Sequence, residues 1–398
     1  MSAAHGNATR LASGLAVAVI ACAAQAAPLL SYTVQDLGLD GYGVGRGINA
    51  SSQIVGTATA VPGAVDRATV WSNGSLYALS TAGYAGTWGY ANNQSGQVAG
   101  VSASAAVAVS LRATRWTNGI AELLPGIGAG QSIAEGINDA GLVVGYSWPV
   151  NGNNYHATLW SGTVATDLGT LSGAGNSMAL DINGSGVVVG LSELIGGTHA
   201  VRWDNSGITD LGTLGGTASV AAAVNDDGVI VGYSRTELGG PDHATIWRGS
   251  SPEDLGTLGG SNSIARALNQ VGQIVGDSQV AGDGETHATM WMDGSVLDLN
   301  DHLSTALPSG WYLWFGSGIN DSGHVAGTMR NRDTGEQHAF LLTEVEVSGE
   351  VPEPAPIALL LIAVFALHRA RGATRHSFRG ATATHCRSPF AASRAVRR

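Results

Sequence analysis

The sequence has no lysine: all 19 basic residues are arginine, a usage that fits a G+C-rich genome and points to no mechanism. Cysteine is almost missing, with Cys22 and Cys386 alone, so a disulfide framework is excluded. Positive charge is scarce where it would matter most. All 30 acidic residues lie between Asp36 and Glu353 beside 10 arginines, which leaves that stretch near −20. Nucleic acid demands a basic surface, so that class of partner is excluded. Sustained helical periodicity is missing outside the two ends. Catalytic signatures are missing too: there is no G-x-S-x-G, no H-E-x-x-H and no cysteine nucleophile. The glycines of "LGTLGG" lack the strand–turn–helix context that a phosphate loop needs. Abundance lies in glycine, with 58 residues.

Both ends carry address-like segments. Arg10 precedes the apolar run "LASGLAVAVIACAAQA" and then Ala27. This predicts a secretory signal peptide over 1–26, with Ala24 and Ala26 forming an A-x-A site and cleavage before Ala27. The rival is a lipoprotein signal in which "VIAC" presents Cys22 for acylation. At the other end, "VPEPAPIALLLIAVFALHRAR" resembles the PEP-CTERM sorting signal of Gram-negative exported proteins. Pro352, Glu353 and Pro354 match its box, and Arg369 and Arg371 match its basic stop. The resemblance implies a membrane-embedded exosortase as processing partner and transient anchoring in the inner membrane. Two features depart from the pattern. The apolar stretch Ala355–Leu367 would span about 20 Å as a helix, short of a ~30 Å hydrocarbon core. The tail also continues for 27 residues beyond Arg371.

Between these ends the chain repeats. Asparagine followed seven residues later by glycine marks each copy: Asn49/Gly56, Asn93/Gly100, Asn138/Gly145, Asn183/Gly190, Asn225/Gly232, Asn269/Gly276 and Asn320/Gly327. The asparagines are 44, 45, 45, 42, 44 and 51 residues apart. Ala68, Ala113, Ala157, Ala200, Ala244, Ala288 and Ala339 form a second series, each opening a β-rich run. "DLG" at 36–38, 167–169, 210–212 and 254–256 is a third, degenerate in the other copies. Each unit reads as strand, tight turn, strand, loop, strand, tight turn, strand. Asparagine at turn position i and glycine at i+3 suit a type I turn. A single sheet of this size cannot bury both faces, whereas seven around an axis can. The predicted fold is therefore all-β, a seven-bladed β-propeller of four-stranded antiparallel blades. It occupies 27–345, followed by a linker (346–354), a short apolar helix with its basic stop (355–371) and a basic tail (372–398). The first "DLG" run is left over at one end and the last blade is one strand short at the other. Residues 32–38 should therefore supply the outer strand of blade seven, beside 338–344.

The elements "DLGTLGG", "IND-G-VVG-S" and "HA--W", with the literal His338-Ala339-Phe340, resemble the HAF-repeat extracellular proteins. The resemblance spans residues 32–345 and implies a secreted or envelope-associated repeat protein, with no activity to carry over.

Candidate chemistry is sparse. In "HATLW", His156, Thr158 and Trp160 share one strand face, and Ala157 and Leu159 the other. The first two copies carry Arg67 and Arg112 in place of the histidine. Arginine cannot ligate a metal, so a ring of seven histidine ligands is excluded. The constant members, such as Ala157, Ala200, Ala244, Ala288, Asn138, Asn183, Asn225 and Asn269, read as structural. The alanines should permit close blade packing, and the tryptophans should fill the space between blades. Turn residues Asp139, Asp226 and Asp321 invite calcium, but Ala50, Gln94, Gly184 and Gln270 take the same place elsewhere, and calcium needs six to eight oxygens. Length variation concentrates in the loop between the second and third strands, which must emerge on one face. With the aromatic connection 305–318, this face offers Trp148, Asn153, Tyr155, Arg235, Asp242, Asp283, Arg332, Asp333, Trp311 and Trp314 as binding candidates. The aromatic run either stacks on sugars or plugs the closing blade. The expectation is an exported, non-enzymatic envelope or matrix propeller without cofactor, binding surface material such as exopolysaccharide. The alternative is a propeller glycan hydrolase or lyase, and a third reading is a purely structural surface coat.

Overall fold

The structure, a computed structural model, describes residues 30–38, 42–59, 65–104, 110–149, 154–249 and 251–345. These form seven four-stranded antiparallel sheets. Blade 1 spans Tyr42–Ala78, blade 2 Gly86–Leu124 and blade 3 Ser132–Asp167. Blade 4 spans Ser177–Asp210, blade 5 Ser219–Asp254 and blade 6 Gly259–Asp298. Blade 7 takes three strands from Trp311–Glu344 and its outer strand, Tyr32–Asp36, from the start of the body. The register runs from Tyr32 opposite Glu344 to Asp36 opposite Phe340, which is the clasp expected from the offset strand counts. Tyr32 is fully buried beneath it. An open edge of the strand Gln337–Glu344 would otherwise stand exposed.

The innermost strands share one irregularity. Each slips register at the third residue before its asparagine, between Gly45 and Gly47, Gly89 and Ala91, Ala134 and Gly136, and so on through Gly316 and Gly318. Such a bulge pushes its extra residue out of the ladder. The glycine seven residues after each asparagine stands opposite. A Cβ there would meet a carbonyl oxygen of the bulged strand at 1.9 Å at Gly56 and Gly232, and at 2.2 Å at Gly327. The Asn–Gly spacing is thus the imprint of the bulge.

Cores lie in the seams between blades. Trp160 of blade 3 packs with Ala113 and Leu124 of blade 2, and Ala157 faces Val188 and Trp203 of blade 4. All seven repeat alanines are fully buried. Five donate their N–H to a serine or threonine hydroxyl of the following blade at 2.8–3.0 Å, as Ala157 does to Ser177 and Ala244 to Ser263. Four tryptophan indoles donate backwards, Trp71 to Leu37, Trp116 to Ser80, Trp160 to Pro125 and Trp291 to Gly256.

The asparagines do more than cap turns. Each Oδ1 accepts the backbone N–H four residues on, while each Nδ2 donates to the backbone carbonyl of the next blade's asparagine. Asn49 thus reaches Asn93, Asn93 reaches Asn138, and Asn138 reaches Asn183. Asn183 reaches Asn225, Asn225 reaches Asn269, Asn269 reaches Asn320, and Asn320 returns to Asn49. The seven bonds measure 3.0–3.3 Å and close a ring. The next turn position adds a partial second ring. Backbone N–H groups of Gln94, Gly184 and Gln270 donate to the carboxylates of Asp139, Asp226 and Asp321. Ala50 and Asp226 donate likewise to Gln94 and Gln270. The acidic turns thereby have a structural role that glutamine fills equally well.

Candidate functional site

In a meander the second-to-third-strand loops and the connections between blades leave on the same face. The asparagine turns close the opposite face. Three groups of side chains bear on a site, two of them on the loop face and one along the centre.

The first is a rim of histidine–aspartate pairs. His156 meets Asp167 at 2.8 Å, His199 meets Asp210 at 2.9 Å, and His243 meets Asp254 at 2.8 Å. His287 meets Asp298 at 2.6 Å and His338 meets Asp36 at 2.9 Å. The aspartate of "DLG" therefore answers the histidine of "HA--W". Blades 1 and 2 have lost both members: Arg67 and Arg112 replace the histidines, and Ala78 and Leu123 replace the aspartates. Each aspartate also accepts a backbone N–H two residues on, as Asp167 does from Gly169 at 2.8 Å. This is a turn-and-strand fastening, which accounts for histidine without metal or base chemistry. Among the described residues no group of three or more His, Cys, Asp or Glu side chains is placed to hold a metal ion.

The second group lines the centre. The bulges project Arg46, Tyr90, Glu135, Leu180, Ala222, Arg266 and Ser317 from the innermost strands. Sequence reasoning missed these residues. Their available signal was a position of changing identity, flanked by small residues, within a constant frame. The Arg46 guanidinium lies 5.4 Å from the Tyr90 ring centre, and that of Arg266 lies 5.2 Å from Phe315. Glu135 is largely enclosed, and burial pushes its carboxyl up to about 7 even though Arg46 pulls the other way. Burial and the nearby Glu135 push the Tyr90 phenol up to about 12 and raise Tyr146 as well. Arg266 bonds Asp277, yet burial still holds that carboxyl above its ordinary range.

The third group contains the loop candidates. Trp148 and Tyr155 come together with Tyr146, an unpredicted partner. The three ring centres are 5.3–5.6 Å apart, in edge-on and tilted contacts. This cluster leads from the blade 3 loop down towards Glu135. At blades 6 and 7, Arg332 grips Glu285 through two bonds of 2.6 and 2.8 Å and lies 4.6 Å from the Tyr312 ring centre. The Arg332 guanidinium holds the Glu285 carboxyl down at about 2. His287, between Asp298 and Glu285, is raised chiefly by its bond to Asp298. Trp311 packs on His338 with centres 4.4 Å apart, and Trp314 lies against Phe315 and beneath Arg330. The closing-blade aromatics are thus engaged internally. Arg235 and Asp242 face each other at 3.7 Å. Asp283 accepts from the N–H and hydroxyl of Ser261, and the Asp333 N–H donates to Asn331. Asn153 lies outside the described residues, as do Ala24, Ala26, Ala27, Pro352, Glu353, Pro354, Arg369 and Arg371.

No protein-family model and no curated protein matches the chain. Among solved structures it is similar to the β-propeller domain of the trilobed protease from Pyrococcus furiosus, at 10% identity and TM-score 0.47, covering 82% of this chain and 98% of that one. It is similar to TolB from Acinetobacter baumannii at 12% identity and TM-score 0.42. That match covers 74% of this chain and spans 64% of TolB. A gluconolactonase from Xanthomonas campestris gives 14% identity and TM-score 0.38, covering 81% and 93%. At these values the likeness bears on neither activity nor ligand.

Proposed function

We propose that this is an exported, non-enzymatic propeller of the HAF-repeat kind that binds surface glycan on its loop face. The carrying observation is the Tyr146, Trp148 and Tyr155 cluster beside the central carboxyl of Glu135. Aromatic faces stack on sugar rings, and a neighbouring carboxyl takes hydroxyl hydrogen bonds. The signal peptide would deliver the chain across the inner membrane. The PEP-CTERM-like tail would hold it there until an exosortase-type enzyme released it to the envelope or matrix.

Glu135 supports a second reading, a glycan hydrolase or lyase, because a carboxyl that keeps its proton near neutrality suits a general acid. Such an enzyme ordinarily needs a second carboxylate close by, and Arg46 is the charge that acts on Glu135. One experiment separates the readings. Purified mature protein is incubated with a panel of bacterial exopolysaccharides. Co-sedimentation without cleavage supports the binder, and depolymerisation supports the enzyme. Neither result would leave the surface-coat role.

A further inference from the structure

We propose that the cavity at the seam of blades 7 and 1 is a binding site for a small organic carboxylate with an apolar body. Blade 1 lacks the histidine–aspartate pair. In five blades a carboxylate occupies the fourth strand opposite the residue two beyond the histidine, as Asp167 does opposite Thr158 and Asp254 opposite Thr245. In blade 1 that place belongs to Ala78, opposite Thr69. The histidine is Arg67, a permanent cation. Blade 1 therefore keeps a positive group and has deleted its carboxylate.

Blade 2 made the same exchange but closed the gap. Leu123 fills the aspartate's place, and Arg112 donates to the carbonyl of Gly130. Arg67 has no such outlet: among the described residues no hydrogen bond or ion pair reaches its guanidinium. Asp66, the preceding residue, is committed elsewhere, and so is Asp36, the aspartate of blade 7. Asp66 accepts from Thr59 at 2.6 Å and from the Trp88 indole at 3.0 Å, and Asp36 holds His338. A half-buried arginine with no anionic partner among the described residues is unusual in a protein this acidic.

The exchange also leaves room. Arg67 and Ala78 line a cavity of about 250 Å³ whose other walls are mainly apolar, among them Leu37, Tyr42, Val65, Trp71 and Leu76. Trp71 is a fixed wall, since its indole donates to Leu37 at 2.9 Å. Tyr42 and Val65 stand 45% and 50% exposed at the rim, as side chains awaiting an apolar contact would. A ligand carboxylate would take the place of the deleted aspartate and form a charge-assisted pair with Arg67. Its body would fill the apolar space. The site is distinct from the blade 3 aromatics and stands or falls apart from glycan binding.

The test is calorimetric titration of the full chain with phenylacetate and hexanoate. Phenylacetamide supplies a neutral isostere, and acetate a carboxylate without a body. The expected result is saturable binding of at least one of the two larger acids, with the amide and acetate weaker by about tenfold or more. Arg67→Met should weaken binding by a similar factor. Ala78→Leu, copying blade 2, should abolish it without lowering the melting temperature, and Ala78→Asp should do so by supplying an internal carboxylate. No saturable binding of either acid up to about 10 mM would overturn the proposal. So would equal affinity for the amide, or an affinity that survives both Ala78 changes.

Discussion

Changing Asn49 tests whether the asparagines fasten blades or only cap turns. Asn49 is 1% exposed. Its Oδ1 accepts the N–H groups of Ser51 and Gln53 at 3.1 and 3.0 Å, and its Nδ2 donates to the Asn93 carbonyl at 3.1 Å. Asn49→Ala strips partners from two N–H groups and one carbonyl. The carbonyl keeps its turn bond from Gly96 at 3.0 Å. At about 1–2 kcal/mol per abandoned buried group, partly regained by water at the turn, the cost should be about 2–4 kcal/mol. Asn49→Asp is the sharper change. It retains the acceptor, so a turn-cap role predicts near neutrality, because aspartate suits turn position i as well as asparagine does. In the ring it loses the donor and sets a buried charge against the Asn93 carbonyl and the Gln53 Oε1 that Asn49 now meets at 3.0 Å. The expected cost at pH 7 is about 3–5 kcal/mol. Neither the Asn49 turn nor the Asn93 turn contains an acid, so charge repulsion between these two turns does not confuse the result. Urea denaturation followed by circular dichroism reads both variants. Acid should rescue Asn49→Asp in part, because a protonated carboxyl regains a donor. Its folded-state pKa would be raised, so its deficit against wild type should grow as pH rises above the ordinary carboxylate range. An Asn49→Asp protein as stable as wild type at pH 7 would refute the ring as an energetic feature.

Three further outcomes are expected. Glu135 holds its proton in the fold up to about 7, against 4.5 ordinarily; between those values the unfolded chain releases the proton first, so stability should fall as pH rises, by about 3 kcal/mol at most, and Glu135→Gln should remove that slope in urea midpoints. Ala244→Leu should cost about 1–3 kcal/mol by overpacking a fully buried seam, whereas His243→Arg, a residue blades 1 and 2 already carry, should shift the melt by less than about 1 kcal/mol; the reverse order would restore a chemical role to the histidine. Truncation up to residue 38 removes the outer strand of blade 7, and should lower the melting temperature and produce oligomers by size-exclusion chromatography, whereas a stable monomer would deny the clasp its role.

The candidate site was legible only in outline. The loop face followed from strand count and direction, and Trp148 and Tyr155 were in view because they sit in a loop of irregular length. Tyr146 was hidden because its strand position varies between blades, with Val101, Leu191, Tyr233 and Asp277 in its place. Glu135 was hidden because a bulge is a property of two paired strands, and the register slip needs the partner strand to be seen. Trp311 and Trp314 looked equally available as Trp148, yet His338, Phe315 and Arg330 occupy their faces.

By itself the sequence determined the repeat, the four-strand unit, the sevenfold count and the clasp, because each is a matter of spacing and order along one chain. The tertiary structure decided what each constant residue does. Asparagine could be read as a turn cap from four adjacent residues, but its second bond goes to a carbonyl 42 to 51 residues on, or, at closure, 271 residues back. The role of His156 was not legible along the chain, because its partner Asp167 stands eleven residues on and is beside it only in space. Local pattern encodes local geometry, whereas partnership across a seam depends on how neighbouring blades come to rest against each other.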